Sequence, residues 1–254
     1  MAVTFVASAS GSDTDNNGFF DVPLPAGTAN GDLVVFVCGT PNTGGLMASV
    51  PSGWTGWPDA SNLQAAGFTA DLHVYYKVAA SEPSTYSWGT PASASRGSGV
   101  NFTLRGIDVP AASPITGWST TNGQDYWLSA GTGPFPFNLA LANRAAITAQ
   151  PVVYIAYAQT TTTASGADPD RFASGAVTFT TPGAEQFDTL ISVTALHSLY
   201  AMAFITSETD RTGDSVDFTN GGAGNWPGNG VFAFARLFGA AEIPTERYGA
   251  WQLV

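Results

Sequence analysis

The chain has 254 residues, of which 44% are hydrophobic and 11% are charged, so its composition excludes an intrinsically disordered protein. Its net charge of −11 excludes a nucleic-acid binder, since phosphate contacts need clustered Lys and Arg and the chain has eight such residues in all. The single cysteine, Cys38, excludes an intrachain disulfide, and no apolar run approaches the ~20 residues of a membrane-spanning helix.

Short apolar or alternating runs separated by Gly, Pro and Ser turns predict consecutive antiparallel strands through the first half. The first two candidates are Val3–Ala7 and Gly18–Leu24. Leu33–Cys38 is continuously apolar, which predicts a strand buried on both faces. Leu72–Val78 and Val100–Ile107 alternate between apolar and polar residues, which predicts strands with one wet face.

The region between the halves, residues 110–146, is rich in Gly, Ser, Thr and Pro but also carries five aromatic residues: Trp118, Tyr126, Trp127, Phe135 and Phe137. A free linker would not carry so many aromatic side chains. We therefore predict an ordered crossover that packs on the sheets and contributes one further strand. Asn138–Asn143 predicts a short helical turn.

The second half repeats the strand pattern of the first. Val152–Tyr157 matches Leu33–Cys38, Leu199–Ile205 matches Leu72–Val78, and Val231–Gly239 matches Val100–Ile107. The offset between each run and its match increases slowly along the chain, which is the effect of loop insertions in a duplicated unit. The predicted fold is all-β, a jelly-roll-like antiparallel β-sandwich with an internal two-fold duplication. Residues 1–109 and 147–240 would share one core, with two side-by-side sandwiches as the alternative, and residues 241–254 would form a docking tail.

Catalytic patterns are sparse. The two histidines, His73 and His197, lie in or beside predicted strands, and His73 is predicted to point to the polar face. A G-x-S-x-G elbow and an H-E-x-x-H pattern are both missing from the sequence. Carboxylates that could pair for glycoside hydrolysis are Glu82, Glu185, Glu208 and Asp217. Because Glu82 and Glu208 occupy equivalent turns of the repeat, structural roles are favoured, and we expect no enzyme activity. Cys38 is predicted to be a buried apolar residue.

One loop has the D-x-D-x-N-G opening of a calcium site. Its oxygen ligands would be Asp13, Asp15 and Asn17, followed by Gly18 for the sharp turn. The position at which a bidentate glutamate belongs is Leu24. The alternative interpretation is a polar turn, since Asp, Asn and Gly dominate turns. Calcium is the one cofactor that the sequence suggests.

Two further regions suggest contacts with partners. The glycine-rich loop at 220–230 presents Asn225, Trp226 and Asn229, a combination that suits a flat glycan site, although Trp226 could also close the end of the sandwich. The tail ends in an apolar segment, and its Tyr248, Trp251 and Leu253 are candidate interface anchors.

Phrases in the first half resemble a recurrent domain of tailed-bacteriophage structural proteins: Gly31-Asp32-Leu33-Val34-Val35, Pro51-Ser52-Gly53-Trp54-Thr55, and Tyr75-Tyr76-Lys77-Val78-Ala79 with Ser81-Glu82-Pro83 and Tyr86-Ser87-Trp88 close behind. A weaker copy runs from about Gln150 to Gly239, where the P-S-G-W-T phrase is replaced by Thr181-Pro182-Gly183-Ala184. The resemblance implies a virion location in tail, fibre or head-surface proteins, with no catalytic residues attached to the motif. It implies other virion proteins as partners and a homo-oligomer. A carbohydrate-binding receptor-recognition module is the alternative.

Overall fold

A computed structural model describes residues 3–13, 17–41, 45–56, 63–64, 70–91, 97–107, 126–132, 137–140, 151–162, 177–179, 184–192, 197–207, 215–218 and 228–238. These residues form strands and turns and contain no helix. The strands of the first half are β1 (Thr4–Ser12), β2 (Phe19–Pro23), β3 (Leu33–Pro41), β4 (Thr55–Gly56), β5 (Leu63–Gln64), β6 (Ala70–Val78), β7 (Thr85–Gly89) and β8 (Ser98–Arg105). Those of the second half are β9 (Tyr126–Thr132), β10 (Phe137–Ala140), β11 (Pro151–Thr162), β12 (Val177–Phe179), β13 (Ala184–Ser192), β14 (His197–Ser207), β15 (Ser215–Phe218) and β16 (Gly228–Phe238). The described part of the chain is all-β and its sheets are antiparallel, as predicted.

The larger sheet of the first half has the order β1-β8-β3-β6-β4, and β5 also pairs with β6. Strand β3 is central: Phe36 lies opposite Asn101 of β8 on one side and Tyr75 of β6 on the other. The apolar run that predicted a strand buried on both faces is indeed buried throughout.

A two-stranded sheet of β2 and β7 covers one face of this larger sheet. Alternation along both strands buries Phe20 and Val22 of β2 and Tyr86 and Trp88 of β7 against it, and leaves the residues between them exposed. The buried cluster between the two layers is called the outer core. Its members are Phe20, Val22, Val34, Phe36, Cys38, Met47, Trp54, Tyr75, Ala79, Tyr86 and Trp88.

The layers approach most closely where β2 crosses β1. A Cβ atom at Gly11 would lie 1.9 Å from the backbone oxygen of Asp21, so only glycine fits at this position. A Cβ at Gly99 would lie 3.0 Å from the ring of Phe20 on β2. These glycines let the small sheet pack directly on the large one.

The second half has a larger sheet with the order β13-β14-β11-β16-β9 and a smaller one with the order β10-β15-β12. The central strand β11 pairs with both β14 and β16, as β3 pairs with both β6 and β8. The two larger sheets lie against each other, with β11 and β14 beside β3, β16 beside β6, and β14 beside β8.

Two predictions about strand faces need correction. The alternation of Val100, Phe102 and Leu104 with polar residues is confirmed, but the polar side is not wet: Asn101 and Thr103 are fully buried. His73 is likewise fully buried. The reason is the β2–β7 layer, whose backbone carbonyls at Val22 and Pro23 accept hydrogen bonds from the Asn101 side chain at 3.4 and 3.0 Å. A sheet that is covered on both sides has no wet face.

The region predicted as a crossover also differs from expectation. Its described residues, 126–132 and 137–140, form two strands, β9 and β10, rather than one. The helical turn predicted near Asn138–Asn143 is wrong over Asn138–Ala140, because these residues pair with Ser215–Asp217 of β15. A helix of six residues would be marginal in water, and strand pairing satisfies the same backbone groups.

Candidate functional site

The resembling phrases at residues 51–55 and 75–88 meet at one edge of the outer core. Lys77, the one lysine in the chain, comes from β6. Its Nζ lies 2.6 Å from Oε2 of Glu82, and both side chains are largely buried. The ammonium lies 6.0 Å from the ring centroid of Trp54 and 5.5 Å from that of Tyr86, which places it within cation–π range of both rings.

Glu82 is held by three donors. Besides the Lys77 ammonium, the hydroxyl of Tyr86 donates to Oε2, and the backbone N–H of Ala80 donates to Oε1 at 2.7 Å. Burial opposes ionisation of Glu82, but these hydrogen bonds outweigh it and lower the pKa of the carboxyl below its ordinary value. Burial, together with the hydrogen bond to Glu82, raises the pKa of Tyr86. The carboxylate therefore stays charged and the phenol stays neutral.

The loop at 51–55 brings Trp54 to this cluster. Gly53 adopts φ +83°, a left-handed conformation that favours glycine, and a Cβ there would lie 3.2 Å from the Lys77 ammonium. The ring of Trp54 meets Tyr86 and Trp88 edge-on, each at a centroid distance of 5.1 Å, and Trp88 stacks on Phe36 at 3.6 Å. Trp54 and Trp88 are thus packing residues of the outer core.

A second ion pair fixes the start of β3 to the end of β8. Arg105 donates from Nε to Oδ1 of Asp32 at 2.8 Å and from an Nη to Oδ2 at 2.7 Å, a bidentate arrangement. The N–H of Ala29 donates to Oδ2 of the same carboxylate at 2.8 Å. Burial opposes ionisation of Asp32, yet the hydrogen bonds from Arg105 and Ala29 lower its pKa. The pairing of Asp32 with Arg105 was missed in the sequence, where the two residues stand far apart.

Three of the residues considered for catalysis, Cys38, His73 and Glu82, lie in the described first half. Cys38 is buried, as predicted, and burial raises the pKa of its thiol well above the ordinary value, which disfavours the nucleophilic thiolate. His73 has Nε2 3.2 Å from Oγ1 of Thr40, both buried in the sheet. Glu82 lies in the ion pair described above. The remaining candidates for a carboxylate pair are in the second half: Glu185 lies on β13 and Asp217 on β15, while Glu208 lies outside the described residues.

The predicted calcium loop is described in part. Oδ2 of Asp13 accepts a hydrogen bond from the N–H of Gly18 at 2.9 Å, and Oδ1 of Asn17 accepts one from the N–H of Phe19 at 2.8 Å. Both side chains therefore support the turn into β2. Asp15 lies outside the described residues. Within the ranges given above, no three His, Cys, Asp or Glu side chains group as metal ligands, and calcium stays a prediction.

The other predicted site residues fall mostly outside the described ranges. Of the glycan candidates, Asn229 lies on β16, opposite Thr132 of β9 and Thr161 of β11, whereas Asn225 and Trp226 are not described. The tail residues Tyr248, Trp251 and Leu253 are not described either. Glycan and interface roles stay predictions. In the described part of the chain, no helix has the length and apolarity needed to cross a membrane.

Comparison of the chain with protein-family models, curated proteins and solved structures finds no match.

Proposed function

We propose that the chain is a non-enzymatic structural component of a phage virion, displayed on the capsid or tail surface as a decoration, spike or tail accessory subunit. The observation that carries this proposal is the convergence of the resembling phrases at 51–55 and 75–88 on the Lys77–Glu82 cluster. Its charged groups are engaged with each other and with aromatic rings, which suits a folding signature rather than a reactive site. A motif with a folding role supports a structural subunit over an enzyme.

At the level of the fold, we propose the alternative of two side-by-side sandwiches, in which each half is an eight-stranded jelly roll. The order β1-β8-β3-β6 of the first larger sheet recurs as β9-β16-β11-β14 in the second. The smaller sheets correspond too: β2 pairs with β7 as β10 pairs with β15. A bridge between Ser49 and Gly89 extends the smaller sheet of the first half, as β12 extends the smaller sheet of the second half. Jelly rolls are common in viral capsid proteins and in lectins.

The packing between the larger sheets supports a duplication. If β3, β6 and β8 correspond to β11, β14 and β16, then the contact of β6 with β16 corresponds to that of β14 with β8. In the same way, the contact of β3 with β14 corresponds to that of β11 with β6. This exchange is the relation that a two-fold axis imposes on a dimer. Because β9 corresponds to β1, the second copy would begin near Tyr126, within the predicted crossover.

Localisation on the particle tests the proposed function. Antibody labelling and cryo-imaging of phage particles that carry the chain should place it on the capsid or tail surface in a symmetric array. A chain absent from purified particles would overturn the proposal.

The proposed anchor is tested separately. Removing the residues after Ile243 should abolish incorporation while the remaining chain keeps its unfolding transition. The matched variant with Tyr248, Trp251 and Leu253 all changed to Ala should do the same at full length. Full occupancy by either variant would show that the tail is not the anchor.

A further inference from the structure

The edges of the first larger sheet are protected very unequally. At one side, the outer edge of β6 is occupied by β4 and β5, which have two residues each. At the other side, β1 runs for nine residues and, within the described part of the chain, pairs with β8 alone. Long regular edges offer unpaired N–H and C=O groups to another strand, and proteins normally blunt them with short strands, prolines or charges.

Strand β1 carries few of these protections. Thr4–Ser12 contains no charged residue and no proline. One irregularity lies between Phe5 and Ala7, and beyond it Ser8–Ser12 pair with β8 in unbroken register. Of the two edge strands of the other larger sheet, β13 includes Glu185 and Asp188 and an irregularity of its own, and β9 is uncharged but shorter than β1, with seven residues. Small side chains predominate in the regular part of β1, so a second strand could approach closely.

We propose that β1 pairs with β1 of a second copy of this chain, antiparallel about a two-fold axis. Two copies that each carry a net charge of −11 repel each other, and they meet with the least repulsion at an edge without charges. Antiparallel self-pairing needs no sequence other than that of β1, and it closes after two copies. The resulting dimer joins two larger sheets into one continuous sheet. The inference deepens the proposed function, since that function calls for an oligomeric subunit.

The two most exposed large apolar residues that the structure describes, Phe19 and Leu46, were considered as an alternative contact. Nothing about these two side chains indicates the chemistry of a partner that would cover them. The β1 edge, in contrast, specifies both the geometry of pairing and the chemistry of its occupant.

Sedimentation velocity of the purified full-length chain over a dilution series tests the proposal. The wild type should show a monomer–dimer equilibrium that strengthens with added salt, because salt screens the repulsion between two acidic copies. Ser10→Lys should weaken the dimer about threefold, since it places like charges on both copies at the edge. Ser87→Lys, at an equally exposed serine on β7, should leave the dimer unchanged. A monomer at every concentration, or a Ser10→Lys dimer of wild-type strength, would overturn the proposal.

Hydrogen exchange adds a second criterion. In the monomer at high dilution, β1 amides that do not face β8 should exchange quickly, and they should become protected at concentrations at which the dimer forms. Protection in the monomer would mean that the chain covers this edge itself, which also overturns the proposal. Particle incorporation is scored independently: a monomeric chain found on particles leaves the proposed function standing, and a dimer absent from particles leaves the β1 contact standing.

Discussion

The two faces of the first larger sheet are equally buried but chemically different. The face toward the second larger sheet carries Phe102 and aliphatic side chains such as Val35, Val37 and Val100. The face toward β2 and β7 carries stacked aromatic rings and the Lys77–Glu82 ion pair. Aliphatic packing tolerates exchange among residues of similar volume, whereas a hydrogen-bonded ion pair requires particular residues. Trp54 and Lys77 of the resembling phrases lie on the face toward β2 and β7, whereas Val35 lies on the other face.

The largest effect is expected at the ring stack of the outer core. Trp88→Ala removes a fully buried indole that stacks on Phe36, so the free energy of unfolding should fall by about 4 kcal/mol. Phe102→Ala, on the opposite face and equally buried, is the matched comparison and should cost about as much. Urea unfolding of both variants measures this. A loss near zero for Trp88→Ala alone would mean that the outer core does not hold the small sheet.

The second-largest loss of stability is expected at the Lys77–Glu82 ion pair. Lys77→Met keeps the apolar stem between the rings of Trp54 and Tyr86 but leaves Glu82 buried without its cation, and it should cost about 3 kcal/mol. The double variant Lys77→Met/Glu82→Gln should recover part of this loss, because it removes the unpaired charge. A double-mutant cycle in denaturant measures the coupling. Additive losses would show that the two groups act independently.

The close approach of β2 to β1 at Gly11 predicts a smaller loss of stability. Gly11→Ala places a methyl group against the Asp21 backbone oxygen, which cannot rotate away, so it should cost about 2 kcal/mol. Ser10→Ala, at the exposed neighbouring position, should change stability by less than about 0.5 kcal/mol. Thermal unfolding distinguishes the two. Equal stability of both variants would place β2 farther from β1.

Acid should weaken the first half through both ion pairs. The pKa values of Glu82 and Asp32 are lower in the folded chain than in the unfolded one, so their contribution is complete above about pH 5 and is lost as pH falls toward the folded values. Between pH 7 and pH 4, Glu82→Gln should lose less stability than the wild type, because the variant has no carboxyl to protonate at this position. Asp21→Asn, a change at an exposed carboxyl, serves as the control. Identical pH profiles for Glu82→Gln and the wild type would contradict the assignment.

The sequence was sufficient to predict strands, their alternation and the burial of Leu33–Cys38, because these follow from local apolar periodicity. It did not reveal that a second layer covers Asn101 and His73, because the pairing of β2 with β7 joins segments more than sixty residues apart in the chain. The salt bridge between Asp32 and Arg105 was missed for the same reason. Lys77 and Glu82 are close in sequence, so their spacing across the turn was the signal from which their ion pair could have been predicted. Polar residues on a strand thus indicate a second face, but not whether that face is wet.

The smallest effect concerns the turn at the rim of the outer core. Asn17→Ala removes one exposed side-chain hydrogen bond to the N–H of Phe19 and should cost about 0.5 kcal/mol in chelator. If Asp13, Asp15 and Asn17 bind calcium as their spacing predicts, the ion should raise the melting temperature of the wild type, and Asn17→Ala should reduce that rise. Calorimetric titration of chelator-treated protein measures binding directly. Zero heat in the wild type would show that the loop does not bind calcium. The turn would then be held by hydrogen bonds alone, because the side-chain oxygens of Asp13 and Asn17 already accept from backbone N–H groups without a metal.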